Sequence, residues 1–177
     1  MKTSRWTTLV GAAVVASSLV AEALAADNRL PGGYRGNAGA SLASLMRRSE
    51  QGDSVAQVRL GFMYQNGIGV PQAYVAAVDM YIRSAEQGNP TAQYLLGLMF
   101  DKGHGVVQDY ILAYKWLNLA ASRAPRRQSE YYTRLRNAVA SKMTRAQIAE
   151  GQWLALNWVP KSREYVLHEP MSPLPYP

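Results

Sequence analysis

Gly52–Ala85 reads GDSVAQVRLGFMYQNGIGVPQAYVAAVDMYIRSA and Gly88–Ala121 reads GNPTAQYLLGLMFDKGHGVVQDYILAYKWLNLAA, so a shift of 36 residues lays one on the other without a gap. Of the 34 paired positions 13 are identical: Gly52/Gly88, Ala56/Ala92, Gln57/Gln93, Leu60/Leu96, Gly61/Gly97, Met63/Met99, Gly67/Gly103, Gly69/Gly105, Val70/Val106, Gln72/Gln108, Tyr74/Tyr110, Ala77/Ala113 and Ala85/Ala121. Self-similarity at such a period marks a repeat architecture, and the spacing inside each copy says what the unit is. Ala56, Leu60, Met63 and Tyr64 fall on one helical face, which Gly67 to Pro71 then breaks. Tyr74, Ala77, Val78, Tyr81 and Ala85 repeat the helical spacing until Gly88 ends it. Asn89 and Pro90 form a cap and first-turn pair for the next helix.

Each copy is therefore a helical hairpin, with full repeats at 52–87 and 88–123. Gly61 and Gly97 stand mid-helix, where glycine costs about 1 kcal/mol relative to alanine, so their recurrence points to close helix approach. A hairpin cannot bury both its faces alone, and the expected fold is all-α, a short α-solenoid of stacked helical hairpins.

The flanks extend the array. Leu42 to Gly52 ends like the second helix of a repeat, a half unit at the front. Gln128 to Ser141 carries Tyr131, Leu135, Ala138 and Val139 at helical spacing. Thr144 and Gln147 form a capping box opening a last helix whose apolar residues are Ile148, Trp153, Leu154, Leu156 and Trp158. The helical domain thus spans 41–158, closing helices at 127–158. Residues 26–40, rich in glycine, read as a flexible linker, and 159–177, with five of the nine prolines, as an extended or disordered tail.

The first 25 residues have the pattern of an export signal: Lys2 and Arg5, an apolar run from Leu9 to Val20, and the small-residue site Ala23, Leu24, Ala25. Cleavage after Ala25 is expected, and the run is short for a spanning helix of about 20 residues. The mature form is then soluble, without a transmembrane segment, and periplasmic or secreted from a bacterium. There is no cysteine, which excludes disulfides, thiolate metal sites and a thiol nucleophile.

The formal charge is +7, and removing Lys2, Arg5 and Glu22 leaves +6. Between Arg123 and Arg145 stand seven basic residues (Arg123, Arg126, Arg127, Arg134, Arg136, Lys142, Arg145) against Glu130 alone, so the positive charge is concentrated there.

Ala56, Leu60, Gly61, Tyr64, Gly67, Gly69, Val70, Tyr74, Ala77, Tyr81 and Ala85 resemble the Sel-one-like repeat (SLR), a cousin of the tetratricopeptide repeat. The second copy carries the pattern at Ala92, Leu96, Gly97, Phe100, Gly103, Gly105, Val106, Tyr110, Ala113, Trp116 and Ala121. Ala73 departs from it where the second copy has Asp109, Val107 replaces Pro71, and Arg123 to Arg127 replaces a third glycine-bearing join. The resemblance implies a scaffold that binds partner proteins. In exported members it extends to envelope signalling, surface polysaccharide, motility or host contact. The alternative it carries is a peptidoglycan- or polysaccharide-associated envelope protein, a hydrolase or β-lactam-binding relative.

Two surfaces are candidates for a partner. Opposite Ala56 on the first helices lie Val58, Phe62 and Gln65, and in the second copy Tyr94, Leu98 and Asp101, which form a peptide groove if neighbouring hairpins leave them open and core if they do not. A basic face of Arg127, Arg134, Lys142 and Arg145 suits an acidic protein, anionic lipid or envelope glycan, or merely keeps the protein soluble. Nucleic acid is not expected in this compartment, and no motif for it accompanies the charge.

No catalytic residue, metal ligand set or cofactor site emerges, and an enzyme is not expected. His104 reads as a surface loop residue and His168 as part of the tail. No phosphate loop, metal-ligand spacing or serine elbow is present.

Overall fold

The computed structural model describes residues 38–162, with side chains from residue 42. Seven helices follow one another among these residues: α1 (Ala38–Glu50), α2 (Ser54–Asn66), α3 (Tyr74–Glu86), α4 (Pro90–Lys102), α5 (Tyr110–Arg123), α6 (Arg126–Ala140) and α7 (Arg145–Leu156). The repeats are the hairpins α2–α3 and α4–α5. Helix α1 begins at Ala38, so the last residues assigned to a linker are helical. The expected signal peptide lies outside the described residues.

The identical residues of the repeat each have a structural task. Gly67 and Gly103, at φ +67° and +69°, take the left-handed conformation that ends α2 and α4, which residues with a Cβ rarely adopt. Gln72 Nε2 donates to Gln65 O (2.9 Å) and Gln108 Nε2 to Asp101 O (2.7 Å), tying each loop to the helix it leaves. A Cβ on Gly61 would lie 2.6 Å from the Tyr81 ring, and one on Gly97 2.8 Å from Leu117, so both glycines let paired helices touch. This pairs Tyr81 with Leu117, not with the Trp116 that the sequence pattern sets beside it.

Buried Gln57 and Gln93 join neighbouring units. Their Nε2 atoms donate to Ser49 O and Ala85 O, both at 3.2 Å, carbonyls of the preceding helix. Gln87 in turn donates to Gln57 Oε1 (2.8 Å), whereas Gln93 Oε1 is buried without a partner. The repeat position of Gln87 is occupied by Arg123 in the second unit, and Arg123 lies over the Trp158 ring, 4.6 Å from its centroid.

Caps mark the helix starts. Asp53 accepts from the amides of Val55 and Ala56, and Asn89 from those of Thr91 and Ala92. Burial pushes the Asp53 carboxyl up, but the Arg48 guanidinium and the two amides outweigh it and hold its pKa below the ordinary value. The contribution of this cap is complete above the unfolded carboxylate pKa and is lost as pH falls through the lowered one. Asp109 caps α5 through Ile111 N (2.8 Å) and Leu112 N (3.0 Å). Ala73, at nearly the same backbone angles, has no side chain to do this for α3. Ala73→Asp is therefore expected to stabilise the protein by about 0.5–2 kcal/mol, read as a higher urea midpoint with an unchanged slope.

Helix α5 is the centre of the closing half, packed against α4, α6 and α7. Helix α6 buries Val139, which the spacing gives, and Tyr132 where the spacing gives Tyr131, while Ala138 is exposed. Helix α7 lays its small residues, Gly151 and Ala155, inward; a Cβ on Gly151 would meet Tyr114 at 2.9 Å. Trp153 and Leu156, two of its large apolar residues, are exposed. Beyond it the chain returns along the solenoid: Trp158 meets Trp116 edge-on, and Lys161 N donates to Glu86 O (2.8 Å). Residues 159–162 of the expected tail are thus pinned to the end of α3.

Candidate functional site

The second stripe of the first helices recurs at the repeat period as Val58/Tyr94, Phe62/Leu98 and Gln65/Asp101, and the structure divides it. Val58 and Tyr94 are core, 2% and 1% exposed. Tyr94 stacks on Tyr132 of α6 at 4.6 Å between ring centroids and meets Tyr131 edge-on at 5.9 Å. Burial pushes the Tyr94 hydroxyl pKa upward, with Tyr131 adding to it, and pushes Tyr132 up to about 12. Both phenols are neutral at physiological pH. The reason Tyr94 is not a groove residue is that α6 sends its aromatic residues over this face of α4.

The polar members of the stripe are also engaged. Gln65 Oε1 accepts from the Tyr81 hydroxyl at 2.7 Å. Asp101, 7% exposed, accepts from Lys142 Nζ at 2.6 Å, with Lys102 Nζ at 3.7 Å. What keeps partial exposure is Phe62, Leu98 and part of Gln65. Phe62 and Leu98 occupy the same register of α2 and α4, so two apolar side chains remain at the repeat period with polar groups of known partners beside them.

The basic face is smaller than its sequence suggests. Lys142 leaves it, since its ammonium is paired with Asp101 and lies 5.1 Å from the Tyr110 ring centroid. The two candidate surfaces therefore meet in one ion pair, across 41 residues of sequence, a contact that helical periodicity does not reveal. Arg136 donates to Asn118 Oδ1 (2.9 Å), and Arg126 faces Glu130 at 3.6 Å. Arg127, Arg134 and Arg145 are exposed and form no ion pair with a described residue; Arg134 stands 6.0 Å from the Tyr131 ring centroid.

His104 stacks on Tyr74, 4.9 Å between centroids, holding the loop against the start of α3. His168 lies outside the described residues. Among the described residues, no three of His, Cys, Asp and Glu come together as metal ligands would, and no helix is long and apolar enough to cross a membrane. The sequence reading missed one surface altogether, the outward side of α7 with Trp153 and Leu156, continued by Val159. Its signal was present, because the helix has apolar residues on both sides.

The Sel1 repeat family matches residues 54–89 and 90–124. No curated protein matches the chain. Among solved structures, c5321, a protective antigen of uropathogenic Escherichia coli strains displaying an SLR fold, aligns over 90% of this chain at 23% identity and a TM-score of 0.66. A Sel1 repeat protein from Oxalobacter formigenes aligns over 41% of this chain at 37% identity and a TM-score of 0.41. The chain spans only 34% and 29% of the lengths of these two proteins. With seven described helices and both repeat hairpins matching the Sel1 repeat, the described chain is an all-α solenoid of the SLR type that carries two Sel1 repeats.

Proposed function

We propose that the chain is an exported scaffold of the bacterial envelope that binds a protein segment along its first helices and performs no catalysis. The observation that carries this reading is the pair Phe62 and Leu98. They are apolar, partly exposed and separated by one repeat, while the remainder of their stripe is filled by Val58 and Tyr94 or engaged through Gln65 and Asp101. Two apolar anchors at fixed separation suit a peptide or amphipathic helix offering apolar residues at matching intervals. The exposed Arg127, Arg134 and Arg145 favour acidic residues in that segment.

Peptides selected against the purified protein from a displayed library test this. Phe62→Glu with Leu98→Glu is expected to weaken their binding about tenfold or more, the loss of at least ~1.4 kcal/mol, while circular dichroism is unchanged. Equal affinity for the folded double variant contradicts the groove. Binding lost instead on reversing Arg127 and Arg134 moves the site to α6, where an anionic polymer becomes the better occupant.

Export rests on Lys2, Arg5, the apolar run and Ala23–Leu24–Ala25. Protein recovered from the periplasm of an expressing bacterium is expected to begin at Ala26 by intact mass and N-terminal sequencing. An uncleaved chain retained in the cytoplasm contradicts it.

A further inference from the structure

Helix α7 is apolar on two sides and covered on one. At 100° per residue, Gly151 and Ala155 point toward α5, and Ala146, Ala149, Trp153 and Leu156 fall within about 80° of one another on the opposite side. All four are exposed, Trp153 at 62% and Leu156 at 83%, and Val159 continues the patch at 74%. Helix α6 shows the contrasting design, placing Arg126, Arg127, Glu130, Arg134 and Asn137 outward. Helices α2 and α4 are also apolar on both sides, and there each side contributes buried residues: Ala56 and Leu60 opposite Val58, Ala92 and Leu96 opposite Tyr94. A contiguous exposed apolar stripe on the side of a helix away from its own core marks a surface that another element covers.

We infer that the cover is a second copy of this chain, its α7 packed antiparallel on the first about a two-fold axis. The order of sizes along the stripe carries this choice. It runs small, small, large, large: Ala146, Ala149, Trp153, Leu156. A two-fold at the level of Gly151 sets Ala149 opposite the partner's Trp153 and Ala146 opposite the partner's Leu156, so each large side chain enters the space left by an alanine. Parallel pairing sets tryptophan on tryptophan and alanine on alanine, leaving a collision and a hollow. Charge agrees with the antiparallel arrangement. Arg145 faces the partner's Asn157, and the two Arg145 stand at opposite ends of the contact, about 18 Å apart along the axis at 1.5 Å per residue. One helix pair of this length makes a small contact, at or below the ~1,000 Å² that marks a stable interface, so the dimer is a weak one that forms with rising concentration. It uses none of the residues assigned to the groove.

Sedimentation velocity on the purified protein, from roughly 1 to 100 μM, covers the range in which a weak dimer forms. The wild type should shift from monomer to dimer over that range. Trp153→Glu should raise the dissociation constant about tenfold or more, and so should Ala149→Trp, which removes the space the partner's Trp153 occupies. Combining Ala149→Trp with Trp153→Ala restores complementarity, because the exchange is reciprocal under the two-fold, and this double variant should dimerise within about threefold of wild type. Both altered residues are exposed, so the fold is retained, as circular dichroism will show. A wild type that stays monomeric throughout overturns the inference. So does a dimer indifferent to Trp153→Glu, or a double variant no better than Ala149→Trp alone.

Discussion

Gly105→Ala is expected to destabilise the protein by about 2–5 kcal/mol. Two costs add. Gly105 has φ +74°, where a residue with a Cβ costs about 1–2 kcal/mol. A Cβ there would also lie 2.6 Å from the carbonyl carbon and 2.7 Å from the carbonyl oxygen of Tyr74. Those are backbone atoms at the start of α3 and cannot rotate away, so the second unit must shift from the first, at an overpacking cost of about 1–3 kcal/mol. Gly69 is the internal control. It is the same residue of the repeat with φ +70°, yet the only atom a Cβ would meet is the flexible end of Met63, at 3.5 Å. Gly69→Ala should cost only the conformational part, about 1–2 kcal/mol. Urea unfolding of both variants measures the difference, and equal losses contradict the close approach of the loop to α3. Against the 5–15 kcal/mol typical of a domain, the Gly105 variant forfeits a large share of its stability.

Tyr94→Ala is expected to cost about 3–5 kcal/mol, the range for deleting a buried aromatic side chain. Tyr94 is 1% exposed and is the ring on which α6 places Tyr132 and Tyr131, so its loss loosens the closing helices from α4. Tyr94→Phe should be neutral within about 0.5 kcal/mol, because the hydroxyl is buried without a hydrogen-bond partner and its removal leaves nothing unpaired. The two variants together separate core from surface. An open-groove residue would tolerate alanine within about 0.5 kcal/mol, and that result contradicts the placement of Tyr94 beneath α6.

The fold was legible because its unit is local. The hairpin and its glycine-bearing loop act within a few residues of where they stand, and offset comparison made them visible twice; the caps Asn89 and Thr144 were readable from their own neighbours. Long-range terms were not legible. The Asp101–Lys142 pair joins two segments 41 residues apart, and it removes one residue from each surface that the sequence had offered separately. The stacking of Tyr132 rather than Tyr131 on Tyr94 depends on the rotation of α6 about its axis, which neighbouring tyrosines leave ambiguous. The last helix shows the same limit: it has apolar residues on both sides, and close packing on α5 selects the side with Gly151 and Ala155. Phe62 and Leu98 keep partial exposure, which depends on what their neighbours leave uncovered and not on helical phase.

Amide chemical-shift mapping of the isotopically labelled protein, titrated with a selected peptide, shows whether the first helices seat a protein segment. The largest perturbations are expected around Phe62, Gln65 and Leu98, on the same face of α2 and α4 one repeat apart. Perturbations confined to the outward side of α6 or to Trp153 and Leu156 of α7, with the Phe62 and Leu98 regions unmoved, would contradict it.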